Sequence, residues 1–147
     1  VDNSSASTQT ETQESASEDT LSNQAINSLP ILVVDDSLTS RTLEASTLEA
    51  AGYRVETASN GEKAWALLKK KKYCLVVLDI EMPVMDGYAL TELIKTDNKL
   101  NKVPVLIITA HESVEIKRRC NEVGANQFLV KNQFDTNCLV EAVEGLL

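Results

Sequence analysis

The sequence has no apolar run approaching the roughly 18 residues of a membrane-spanning helix. Its polar N-terminus also lacks the apolar stretch of a secretory signal. Histidine occurs once and cysteine three times, at Cys74, Cys120 and Cys138. That spacing matches no zinc site, and an odd number cannot close entirely into disulfides. Each cysteine falls at an apolar-patterned position, so all three read as small core residues in a reducing, cytoplasmic compartment. Lys and Arg are missing from the first 28 positions, which carry five acids, Asp2, Glu11, Glu14, Glu18 and Asp19. Of the 22 acids in the chain, 17 remain for 29–147, against 14 Lys and Arg. A folded part with a net charge of −3 has no field to attract nucleic acid or an anionic membrane. The lysine run 69–72 reads as a solvated helix end favoured by the helix dipole.

What is present points to one domain. The 147 residues are 43% apolar, enough for a packed core. Residues 1–28 are Ser, Thr, Gln, Asn and Glu with few aliphatics. They cannot bury enough surface to offset the entropy of ordering, so they are expected to be a flexible polar linker, with 21–26 able to form a helical turn. A chain that opens on Val rather than Met reads as a piece of a longer protein. From Leu29 onward, aliphatic runs alternate with helical periods. Ile31-Leu32-Val33-Val34 is a strand covered on both faces. A helix follows over 38–51, with Leu43, Leu48 and Ala51 inward and Gly52 as its stop. Residues 54–58 form a polar edge strand, and Ser59-Asn60-Gly61-Glu62 matches a capping box opening a helix with Ala64, Trp65 and Leu68 on one face. Strands over 75–78, 103–109 and 127–130 alternate with helices marked by Asp86, by Ile116, Cys120 and Val123, and by Asp135 as N-cap. Phe134, like Trp65, reads as a packing residue. Strict alternation of five strands and five helices implies an α/β fold with a parallel sheet and helices on both faces. Sites in such sheets form beyond the carboxyl ends of the strands.

Asp35-Asp36, Asp79, Thr109 and Lys131 each directly follow an aliphatic run, and so should share one edge. Clustered carboxylates repel; they persist by raising a pKa or by recruiting a cation. An oxygen-only donor set suits Mg²⁺. With the other acids neutralised, Asp79 is left to attack phosphorus, the Thr109 hydroxyl to bond a phosphoryl oxygen, and Lys131 to supply a second positive charge.

The segments VVDDS (33–37), LVVLDIEMPVMDG (75–87), IITA (107–110) and FLVK (128–131) resemble a receiver domain of two-component response regulators, the CheY-like family. The likeness covers 29–147. It implies a doubly wound, flavodoxin-like (βα)5 fold with strand order 2-1-3-4-5. It further implies Asp79 as phosphoacceptor and Mg²⁺ ligand, Asp36 as direct Mg²⁺ ligand, Asp35 as a ligand through water, and the Glu81 backbone carbonyl as a further ligand. Thr109 and Phe128 match the switch pair, and Lys131 matches the phosphate-contacting lysine. The implied donor is the phosphohistidine of a histidine kinase or histidine phosphotransfer domain. The implied output is a downstream protein at the face of helix four, strand five and helix five. Such a domain catalyses only its own modification and is not an enzyme towards other substrates. Receivers usually carry Pro after the lysine; here Asn132 follows, and the cost of a cis bond before a non-proline residue, about 3–4 kcal/mol, favours trans. The segment FLVKNQFD resembles receivers fused to chemotaxis-type, CheA-like hybrid kinases. Glu81 and His111 lie close in sequence to the site and are expected to tune the lifetime of the phosphate.

Two other classes compete. An aspartate-nucleophile phosphatase should end its first strand in Asp-x-Asp and carry a cap domain, whereas here the acids are adjacent. A pseudo-receiver would keep the fold as an interaction module without phosphorylation, and the intact Asp36, Asp79 and Lys131 speak against it.

Overall fold

The computed structural model describes residues 29–82, 85–110, 113–130 and 136–147. Five strands, β1 (Ile31–Val34), β2 (Val55–Ala58), β3 (Leu75–Asp79), β4 (Val105–Thr109) and β5 (Gln127–Val130), alternate with five helices. These are α1 (Leu38–Ala50), α2 (Gly61–Lys70), α3 (Gly87–Thr96), α4 (Val114–Val123) and α5 (Thr136–Leu146). All pairings are parallel and the order is β2-β1-β3-β4-β5. This is the doubly wound sheet expected from the sequence. Among the described residues no helix is long and apolar enough to cross a membrane.

The two-residue period of a strand divides the sheet's side chains between two cores. Leu32, Val34, Val76, Leu78, Val105 and Ile107 face one side, with Ala64 and Leu68 of α2, Leu90 and Ile94 of α3 and Cys120 of α4. Ile31, Val33, Leu75, Val77, Leu106 and Ile108 face the other, against Leu48 of α1 and Leu139, Ala142 and Val143 of α5. Every residue of β1, β3 and β4 is buried, which explains their continuous rather than alternating apolar runs. Each fully buried Leu or Ile contributes about 1.5–3 kcal/mol.

Several local expectations shift. Leu43 is 55% exposed and Ala51 is exposed, while the buried residues of α1 are Glu44 and Leu48. The reason is angular: residues four apart share a helix face, whereas Leu43 and Leu48 are five apart. The N-cap of α2 is Asn60, whose Oδ1 accepts from the Lys63 N–H at 2.8 Å, not Ser59 one residue earlier. Strand β4 starts at Val105 because Pro104 has no N–H to give; its carbonyl accepts from Val76 instead. Of the cysteines only Cys120 is fully buried; Cys74 and Cys138 are half-buried, and all three are free. The Cys74 thiol donates to the Leu29 carbonyl at 3.3 Å. The stops at Gly52 and Gly124 are found, with φ of 102° and 91°. Asp86 caps α3 by accepting from the Ala89 N–H at 2.9 Å. The Asp135 cap, the Phe134 packing, the Lys131–Asn132 bond and the 1–28 linker lie outside the described residues.

Candidate active site at the carboxyl edge of the sheet

β1 and β3 are neighbours in register, Val34 opposite Leu78. The chain leaving β1 therefore delivers Asp35 and Asp36 beside the last residue of β3, Asp79. One carboxylate oxygen from each lies within 4.8 Å of the other two. Asp35 is fully buried, Asp79 is 8% exposed, and Asp36 faces solvent.

Each acid is held by its local turn. The Ser37 N–H donates to Asp35 Oδ1 at 2.9 Å, while Ser37 Oγ caps α1 by accepting from the Ser40 N–H at 3.3 Å. Arg41, one turn into α1, donates through Nη1 to the Asp35 carbonyl at 2.8 Å. Asp35 is thus fixed at side chain and backbone. On the β3 side, Asp79 Oδ1 accepts from the Glu81 N–H at 3.2 Å. The Gly87 N–H then donates back to the Ile80 carbonyl at 2.9 Å, folding the loop onto the strand end. A Cβ at Gly87 would sit 2.5 Å from the Asp79 carbonyl oxygen and 2.8 Å from the Ile80 Cα, so the approach is open only to glycine.

The neighbouring strand adds a hydroxyl. Asp79 pairs with Ile108, which puts Thr109, 3% exposed, at the next position along β4. Phe128 lies on β5 opposite Ile107, half-buried, with the Lys117 ammonium 5.9 Å from its ring centre. Glu81 is exposed just beyond Asp79. The structure therefore gathers Asp35, Asp36, Asp79 and Thr109 at one edge, with Glu81 beside them and Phe128 on the next strand. Lys131 and His111 fall outside the described residues.

A family model for the response regulator receiver domain matches residues 31–144. The chain belongs to that family. Its fold and strand order are those of the CheY-like receivers. The receiver is 34% identical over 122 residues to the gliding motility regulatory protein of Myxococcus xanthus, covering 83% of this chain but 16% of that protein. It superposes on the chemotaxis response regulator CheY4 of Vibrio cholerae with a TM-score of 0.76 at 34% identity, over 81% of this chain and 98% of the other. The response regulator TrrA of Thermotoga maritima, solved in complex with Mg²⁺ and BeF, gives a TM-score of 0.72 at 34% identity, with 81% and 99% covered.

Two groups that shape this receiver site, Arg41 and Lys117, could not be found from motif matching. Arg41 is an unremarked basic residue in a polar helix until the fold sets it against Asp35. Ser37 did carry a signal, a hydroxyl residue just before a helical period. Lys117 acquires its aromatic neighbour only through the packing of α4 against β5.

Proposed function

We propose that this receiver accepts a phosphoryl group from a partner's phosphohistidine onto Asp79, in a Mg²⁺-dependent step. The observation that carries the reading is the convergence of the Asp35, Asp36 and Asp79 carboxylates within 4.8 Å at a strand end. The donor set fits the ion: all oxygens, anionic, two of the three acids buried and braced. Asp36 and Asp79 would hold the ion directly, Asp35 through water, and the Glu81 carbonyl would complete the protein's share. When bound, the ion neutralises the carboxylates and the phosphoryl oxygens. A carboxylate oxygen of Asp79 attacks phosphorus, an O–P bond forms, the P–N bond breaks, and its electron pair returns to the partner's imidazole. The Thr109 hydroxyl donates to a phosphoryl oxygen, and the Lys131 ammonium bonds another. Thr109 then moves toward the new group and Phe128 turns inward, so the face of α4, β5 and α5 changes for a downstream protein. Glu81 and His111 set how fast water removes the phosphate.

In this reading 29–147 is the signalling unit and 1–28 its linker, working in the cytoplasm. The likeness of FLVKNQFD to receivers of CheA-like hybrid kinases makes such a kinase the favoured context.

Addition of Mg²⁺ and beryllofluoride to the full chain tests the reading. Amide resonances of Thr109 and Phe128 are expected to shift, and Asp79→Asn is expected to abolish the response. Identical spectra with and without both reagents would leave a pseudo-receiver. Release of phosphate from many esters would instead indicate a phosphatase.

A further inference from the structure

At the opposite end of the sheet from the acidic cup, the chain segments entering β1, β3 and β4 border an open hollow of about 380 Å³. Leu29, Leu68, Leu100 and Val103 supply apolar walls, and the four lysines 69–72 together with Lys99 form the rim. Two of these cations are engaged: Lys69 stacks over Trp65 at 5.5 Å, and Lys71 pairs with Glu56. Lys70, Lys72 and Lys99 are exposed and form no ion pair among the described residues. The nearby acid, Asp97, has turned its Oδ1 to the backbone N–H groups of Lys99 and Leu100. A domain of net negative charge thus carries a cationic, apolar-floored hollow.

We propose that residues 18–26 of the chain's own N-terminal segment dock in this hollow. Three observations support that occupant. First, the segment joins the domain at Leu29, itself a wall of the cavity. Second, its charge is complementary, since residues 1–28 hold five acids and no Lys or Arg. Third, the segment carries both kinds of side chain the hollow presents partners for: Glu18 and Asp19 suit the lysine rim, and Leu21 and Ile26 suit the apolar walls. The ten residues from Asp19 to Leu29 can span up to about 33–36 Å, so reach is ample. A tether this short gives an effective concentration in the millimolar range, so weak contacts suffice. A composition too polar to fold alone can still order on a complementary surface. Docking holds the chain before Leu29 at the amino edge of the sheet, away from the phosphoacceptor edge.

Backbone relaxation of the full 147-residue chain tests the proposal, with no phosphorylation required. At low salt, order parameters of 18–26 are expected near ~0.85, falling below ~0.6 in a Glu18→Gln/Asp19→Asn variant and in about 1 M salt, where the Debye length is about 3 Å. Amides of Leu100 and Val103 should shift in the same variants. A Lys72→Glu/Lys99→Glu variant should release the segment, and adding Glu18→Lys/Asp19→Lys should restore it; these lysines are exposed, so the fold is kept. Order parameters below ~0.6 in the unmodified chain at low salt overturn the proposal. So does ordering that appears only as protein concentration rises, which would assign the hollow to a second copy.

Discussion

The residue with least room for change is Gly87, because any side chain there meets two backbone atoms as well as the Leu78 side chain. Gly87→Ala is expected to lower unfolding free energy by about 1–3 kcal/mol, as overpacking does. It should also weaken the beryllofluoride response, since the displaced atoms are the Asp79 carbonyl and the Ile80 Cα. Calorimetry and the same amide titration measure the two effects. Glu56 is a second informative residue. Hydrogen bonds from Lys71 and then Tyr73 hold its carboxyl below the usual range, while burial and then Glu56 hold the Tyr73 hydroxyl well above the ordinary phenol value. A depressed carboxyl contributes stability that is fully present above the unfolded value, about 4.3, and is lost as pH falls through the folded one. Unfolding free energies of wild type and Glu56→Gln from denaturant titration should therefore differ by about 1 kcal/mol or less near neutral pH and converge as pH falls through the lowered range of the carboxyl. A difference that persists at low pH would show that packing, not charge, makes the contribution.

Among the elements, the strands were the most legible from sequence and the helix interiors the least. Ile31–Val34 and Leu75–Asp79 announce themselves as uninterrupted aliphatics because both of their faces are covered. The α1 helix hides its orientation because its inward face includes Glu44, a charged residue at 3% exposure that pattern reading places outside. The acidic cup was legible because each acid ends an apolar run, and a parallel sheet brings all such ends to one edge. The Arg41 brace was not, since its bond to the Asp35 carbonyl is a contact created only by folding. Asn126 illustrates the same gap. Its side-chain oxygen accepts from the Val105 N–H at 2.9 Å, and its own N–H donates to the Val105 carbonyl at 2.9 Å. Asn126→Ala is expected to cost about 1–3 kcal/mol by leaving the buried start of β4 one acceptor short, with the loss visible as faster exchange of the Val105 amide.

For the molecule as a whole, the two ends of the sheet are chemically opposite. Acids gather where the strands finish and lysines where they begin, although the net charge of the folded part alone suggests a uniformly mild surface. The position of β3, third in an order of five with β1 and β4 on its flanks, carries a mechanical consequence. Ladder bonds on both sides anchor the backbone that bears Asp79, so a group added there cannot be accommodated by sliding the strand. Motion has to pass into the turns and toward β5, which has a neighbour on one side only. Amide exchange after activation should therefore stay slowest in β3 while opening along β5, as cooperative units of unequal local stability require.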